Sequence, residues 1–121
     1  MRIKTVAFMN QEKKKELSPV IRKVLKQYSV KATISVKNHS TIVCNVKSSD
    51  IDFDTNNGYR QIFGHYNSDR DSGIAKAFLT DLWAAMMTGN HDNSEIMTDY
   101  FDVGWYAQIN IGDWDKPYIL N

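Results

Sequence analysis

Between Thr88 and Tyr106 the chain reads TGNHDNSEIMTDYFDVGWY, which sets His91, Asp92, Glu95, Asp99 and Asp102 close together. Residues of these types do two kinds of chemistry: imidazole and carboxylates hold a metal ion, and paired carboxylates exchange protons. A metal site needs three or four ligands converging on one point. His91 and Asp92 are adjacent, so neither a helix nor a strand aims both at one centre, and only His39 and His65 supply further imidazoles. The stretch also lacks the alternating oxygen ligands and central glycine of a calcium loop. Asp99 and Asp102 could act as acid and base only in a partly desolvated site. The simpler reading is structural. Asp92 and Glu95 have the spacing of a helix capping box, and Ile96, Met97, Tyr100 and Phe101 follow at helical spacing for two short turns. Elsewhere, Cys44 alternates with Ile42 and Val46 on an inner face, where a thiol is a small hydrophobe rather than a nucleophile. The glycines are too scattered for a phosphate loop or a dinucleotide fingerprint. The sequence therefore predicts a protein that is no enzyme, holds no metal or cofactor, and acts by binding.

A small set of elements must position the remaining side chains. Asn10 is a good helix cap, and Leu17, Val20, Ile21, Val24, Leu25 and Tyr28 recur on one helical arc, with Lys15, Arg22 and Lys26 on the opposite arc. Pro19 removes a backbone donor and disfavours helical angles at Ser18, so a kink or a fresh start capped by Ser18 is expected. KATISVKNHSTIVCNVK then reads as a hairpin. Matching its apolar faces requires Val36 opposite Ile42 and Ile34 opposite Cys44, which leaves a loop of three residues (Asn38, His39, Ser40) or five. Its other face shows Lys31, Thr33, Ser35, Lys37, Thr41, Asn45 and Lys47, interrupted only by Val43.

QIFGHY is a third strand between loops. Ser72 caps a strong helix, GIAKAFLTDLWAAMMTG, closed by Gly89, whose buried arc is Ile74, Phe78, Leu79, Leu82, Ala85 and Met86. Trp83 and Met87 lie past the edge of that arc; they serve a partner surface unless a wide helix–sheet contact absorbs them. Past the capping-box segment, Trp105, Ala107, Ile109 and Ile111 alternate with Tyr106, Gln108 and Asn110 in a last strand. The order helix, hairpin, strand, helix, short helix, strand predicts one α+β domain over residues 1–121: an antiparallel sheet of about four strands with two main helices on one face.

At 121 residues and 42% hydrophobic content the composition is that of an ordinary globule, with no apolar run near the length of a membrane span. A single cysteine, Cys44, excludes an internal disulfide and suits a reducing compartment. The net charge of +1 hides a division. Residues 1–49 hold eleven Lys/Arg against Glu12 and Glu16, a net of +9, and residues 50–121 hold four against twelve acids, a net of −8. Such polarity points to an anionic partner for one half or a cationic partner for the other, unless the halves neutralise each other in the fold.

The blocks VKNHSTIVCNVKS, AAMMTGNHDNSEIMTDYFDVGWY and INIGDWDKPY resemble a group of small proteins of tailed bacteriophages, a resemblance covering most of the chain from about Gln11 onward. It implies a small accessory protein working in the host cytoplasm, of the kind that binds and inhibits a host protein such as a component of a defence system. The order helix–three strands–helix also resembles the double-stranded-RNA-binding domain, but the second helix here begins SGIAKAF, with Lys76 alone in place of a lysine-rich start. Two alternative readings follow from the residues, a host-protein binder first and a nucleic-acid- or nucleotide-binding module second. For a host protein, the aromatic and soft anchors are Trp83, Met87, Tyr106, Trp114 and Tyr118. For nucleic acid, they are the cations Lys15, Arg22, Lys26, Lys31, Lys37 and Lys47, although no aromatic residue interleaves with the hairpin lysines. A homodimer through an edge strand or the Trp83 face is a further option.

Overall fold

In the computed structural model, residues 9–55, 58–63, 65–89, 105–113 and 115–121 are described. The capping-box segment with His91, Asp92, Glu95, Asp99 and Asp102, and also Trp114, lie outside the described residues. The elements are α1 (Gln11–Gln27), β1 (Lys31–Lys37), β2 (Thr41–Ser49), β3 (Arg60–Phe63), a 3₁₀ turn Ser68–Arg70, α2 (Gly73–Met86), β4 (Tyr106–Ile111) and β5 (Ile119–Leu120).

The fold is α+β, with one correction to the sheet. It is mixed and five-stranded, in the order β1-β2-β4-β3, and β5 continues along β2 past the end of β4. β1–β2 and β3–β4 are antiparallel, while β2 runs parallel to both β4 and β5. Period-2 alternation fixes which face a strand buries but is blind to its direction. Direction comes from the connection. α2 carries the chain back along the sheet to the hairpin end, where the Tyr106 amide bonds the Ser40 carbonyl at 2.8 Å, so β4 sets out beside the start of β2.

The hairpin register is as the sequence requires: Val36 pairs with Ile42 and Ile34 with Cys44, across the three-residue loop Asn38–Ser40. Asn38 and His39 take left-handed angles there, φ 56° and 55°. At the far end the register shifts, since Lys31 faces Ser48 while Ala32 faces Val46, which leaves Lys47 as the extra residue of a bulge.

α1 is one continuous helix with Pro19 inside it, so the fresh start at Ser18 does not occur. Asn10 caps it by accepting from the Lys13 amide at 2.8 Å. The Ser18 hydroxyl donates to the Lys14 carbonyl at 2.6 Å, one residue before the carbonyl that loses its donor to proline. Leu17, Ile21 and Leu25 are buried on both sides of Pro19, and this shared burial carries the helix through it.

Both helices pack on the face of the sheet that presents Ile34, Ile42, Cys44, Val46, Ile62, Ala107, Ile109 and Ile111, all buried. α2 contributes Ala75, Phe78, Leu79, Leu82, Ala85 and Met86; Ile74, expected among them, is exposed. The irregular segment after β2 inserts Ile51 and Phe53 into the same core, with Phe53 against Phe78 and Tyr118. Gly112 (φ +72°) ends β4 where a side chain would run into the Gly58 carbonyl and come within 2.5 Å of the Tyr118 amide.

Candidate functional site

The face of the sheet turned away from the helices is built by register. Across it run three rows: Tyr106, Thr41 and Lys37; then Phe63, Gln108, Val43 and Ser35; then Gln61, Asn110, Asn45 and Thr33. Each row alternates with a core row, because successive strand residues point to opposite faces. The result grades across the sheet from rings on β3 and β4, through amides and hydroxyls in the middle, to lysines on β1 and β2.

Phe63 and Tyr106 stand side by side with ring centroids 6.2 Å apart and planes inclined by 38°. They are 59% and 42% exposed, the most open aromatic pair among the described residues. Beside them the Gln108 side-chain amide donates to Asn110 Oδ1 at 2.9 Å, Asn110 donates to Asn45 Oδ1 at 3.0 Å, and Asn45 donates to Ser35 Oγ at 3.3 Å. This ladder links β4, β2 and β1. Gln108 within the ladder, and Val43 and Thr41 next to it on the face, are buried, so the middle of the face is tightly packed and Asn45 and Asn110 are its more open polar groups. An amide that makes one such bond per atom retains a second N–H and a second lone pair. Lys37 and Lys47 are exposed at the β1–β2 side, with Lys31 at the head of β1; Lys47 has only a long exposed contact to Asp113, 3.8 Å, which binds it weakly.

The residues picked from sequence are thus sorted differently from the two expected groups. Tyr106 is exposed on the outer face. Tyr118 is buried instead: its hydroxyl donates to the Ile51 carbonyl at 2.7 Å and meets the Ser49 hydroxyl, and burial holds that phenol above its ordinary pKa. It is a core residue and offers no anchor. Trp83 and Met87 are half-buried against the core, with the Tyr66 ring 6.5 Å from Trp83, so the helix–sheet contact takes them up in large part. Among the cations, Lys15, Arg22 and Lys26 are exposed on the α1 arc turned away from Leu17, Ile21 and Leu25. The core and the sheet lie between them and the outer-face Lys37, so the helix and hairpin cations form two surfaces rather than one.

Phe63 was not identified by sequence reasoning, because QIFGHY carries no register mark to say which alternate residue faces out. Arg60 was also missed. It lies on the core face of β3, and its guanidinium donates to both Asp71 oxygens, at 2.9 and 3.0 Å, and to the Phe53 carbonyl at 3.2 Å. Tyr66 donates to the same carboxylate at 2.8 Å. Burial alone would raise the Asp71 pKa, but the hydrogen bonds from Arg60 and Tyr66 together with the Arg60 charge outweigh it and leave the carboxyl below its ordinary range. Burial and the bond to Asp71 push the Tyr66 phenol up to about 12. These groups are matched to one another, which marks a structural network rather than a reactive one.

Two open grooves adjoin the sheet. One of about 290 Å³ runs along β3 past Phe63, His65, Asn67 and Arg70. The other, of about 460 Å³, lies between the start of α1 and the hairpin loop, lined by Asn10, Gln11, Glu12, Val36, Asn38 and His39. Cys44 is fully buried with its thiol pushed up to about 12 by desolvation, so it does not ionise at neutral pH. Among the described residues no group of three or more His, Cys, Asp or Glu converges as metal ligands, and no helix is long and apolar enough to cross a membrane. Comparison with family models, curated proteins and solved structures finds no match to this chain.

Proposed function

We propose that the protein acts by binding rather than catalysis, and that it is a nucleic-acid-binding module whose contact surface is the outer face of the sheet. One observation carries this reading: exposed rings, a fixed amide ladder and a lysine rim share a single face. A ring pair on the same face as the hairpin lysines supplies what the sequence alone lacked for this ligand. Rings hold bases, amides and hydroxyls meet base edges or sugars, and lysines neutralise phosphate.

The test is a fluorescence-anisotropy titration with labelled nucleic acid across a salt series. Replacing Lys31, Lys37 and Lys47 by Glu should abolish binding, whereas replacing Lys15, Arg22 and Lys26 by Glu should leave most of it. Each phosphate neutralised should add roughly 0.7 to 0.9 to the fall of log affinity against log salt. A wild-type protein that retains no nucleic acid at low salt would end this reading.

A second reading is the phage-type accessory protein that binds and inhibits a host protein in the host cytoplasm. The observation in its favour is the same ring pair, standing beside the β3 groove, since paired exposed aromatics are the usual anchors of a protein interface. Capture of one host protein at a fixed ratio, insensitive to salt and lost on Phe63→Ala with Tyr106→Ala, would establish it in place of the first.

A further inference from the structure

We infer that the ligand of the outer face is single-stranded, with unpaired bases stacked on Phe63 and Tyr106 and the strand crossing the sheet toward Lys37; this rests on the nucleic-acid reading above. The ring pair decides against duplex, and the width of the sheet adds to it. Neighbouring strands lie about 4.8 Å apart, so the four-stranded face is roughly 14 Å wide between its outer strands, before side chains are added. A B-form major groove is about 12 Å wide and admits one helix or a two-stranded ribbon. The A-form major groove is deep and narrower still. The A-form minor groove is wide and shallow, but in either duplex the base faces stay stacked on one another, so the exposed ring pair would find no base face to hold.

A single strand matches each part. Its bases are free to leave their neighbours and lie on aromatic faces, which in a duplex are already occupied by stacking. Phe63 and Tyr106 are open to solvent on adjacent strands, and their centroid separation of 6.2 Å gives two ring positions side by side. Asn110 donates to Asn45 and Asn45 donates to Ser35, so their spare donors and acceptors are presented in fixed directions to base edges. Lys37 shares a row with Tyr106, two strands away and therefore roughly 10 Å along the sheet, where a phosphate following a stacked base is expected. Two rings with one nearby phosphate contact describe a short footprint of about two or three nucleotides with little sequence preference.

The experiment uses the full chain and labelled 12-mers of mixed sequence as single-stranded DNA, single-stranded RNA, and the corresponding duplexes, all at one low salt concentration. The expected result is that at least one single strand binds tenfold or more tightly than its duplex. Phe63→Ala and Tyr106→Ala should each weaken it between about fivefold and a hundredfold, the range found for one lost stacking contact. Phe63→Leu should weaken binding nearly as much as Phe63→Ala, because it keeps apolar area and removes the ring, while Tyr106→Phe should bind as wild type. Both positions are exposed, and unchanged thermal unfolding confirms that each variant is folded. Preference for RNA over DNA, or the reverse, supports the inference and identifies the strand chemistry. Duplex bound as tightly as single strand, or Ala variants that bind as wild type, would overturn the inference while the nucleic-acid reading stands. No retention of any of the four probes would remove both.

Discussion

Strand β3 carries two kinds of functional-looking side chain, at opposite ends and on opposite faces. Arg60 points into the core, where with Asp71, Tyr66 and the Phe53 carbonyl it forms a closed set of hydrogen bonds, its side chain 7% exposed and that of Asp71 4%. Three residues on, Phe63 stands in solvent beside Tyr106, with the amide ladder next to it. By composition the first looks like an active site and the second like a packing defect. Their surroundings reverse that. The charged cluster is saturated by its own members and ties the irregular segment after β2 and the loop before α2 to the sheet. The aromatic pair has surface to give to something else. Polarity that is buried and matched serves the fold; apolar surface left open on a rigid face serves recognition.

The largest effect should come from breaking the buried pair. Arg60→Ala leaves the Asp71 carboxylate buried without its partner, and about 3–5 kcal/mol of stability should be lost, read from the urea unfolding midpoint. The joint change Arg60→Met with Asp71→Leu should cost much less than the single one, because it removes both charges together. If the single change proves neutral, the cluster is not structural and the contrast with the outer face fails. Next in size is Gly112→Ala. Its left-handed angle and its close approach to the Gly58 carbonyl should make it destabilising by about 1–3 kcal/mol, whereas Gly73→Ala, also left-handed (φ +59°) but with open space around it, should cost less.

The same cluster fixes a pH dependence. Asp71 has a folded-state pKa below that of the unfolded chain, so its stabilisation is fully present above the ordinary carboxylate range, about pH 4, and is lost as pH falls through the lower folded value. Tyr66 is shifted the other way, to about 12, so its contribution is present below the ordinary phenol value near 10 and is lost as pH rises from there toward 12. Thermal unfolding across pH should show the alkaline loss diminished in Tyr66→Phe and the acid loss diminished in Asp71→Asn, with the latter less stable at neutral pH. An acid limb unchanged by Asp71→Asn would assign it to other carboxylates.

How far the sequence reveals this arrangement depends on which physical rule governs each part. The hairpin register was legible because apolar alternation and an Asn-His loop allow few pairings, and the faces of β4 were legible for the same reason. The parallel course of β2 and β4 was not, since it is set by a crossover rather than by local pattern. At Pro19 local rules allow a fresh start capped by Ser18, and the shared burial of Leu17, Ile21 and Leu25 keeps one continuous helix instead. Ile51 and Phe53 sit in the core without belonging to a strand, so no periodicity announced them. For the site, Tyr106 could be found because its strand alternates clearly. Phe63 could not, and Tyr118 was misjudged because an isolated tyrosine near the end of the sequence carries no sign of the Ser49 and Ile51 groups that receive its hydroxyl.

The smallest stability effect is the sharpest test of the comparison. Phe63→Ala and Tyr106→Ala remove rings that stand largely or partly in water, so each should shift unfolding by no more than about 1 kcal/mol despite being large-to-small changes. A buried phenylalanine of the same chain, Phe78, should cost about 3–5 kcal/mol when cut to alanine, because its removal leaves a cavity against Phe53 and Tyr28. If Phe63→Ala approached the Phe78→Ala value, its ring would be part of the packing and the outer face would lose its claim to be a binding surface. If the two differ as expected, and the Phe63 variant alone loses its ligand, then folding and recognition are carried by separate sets of aromatic residues that share one sheet.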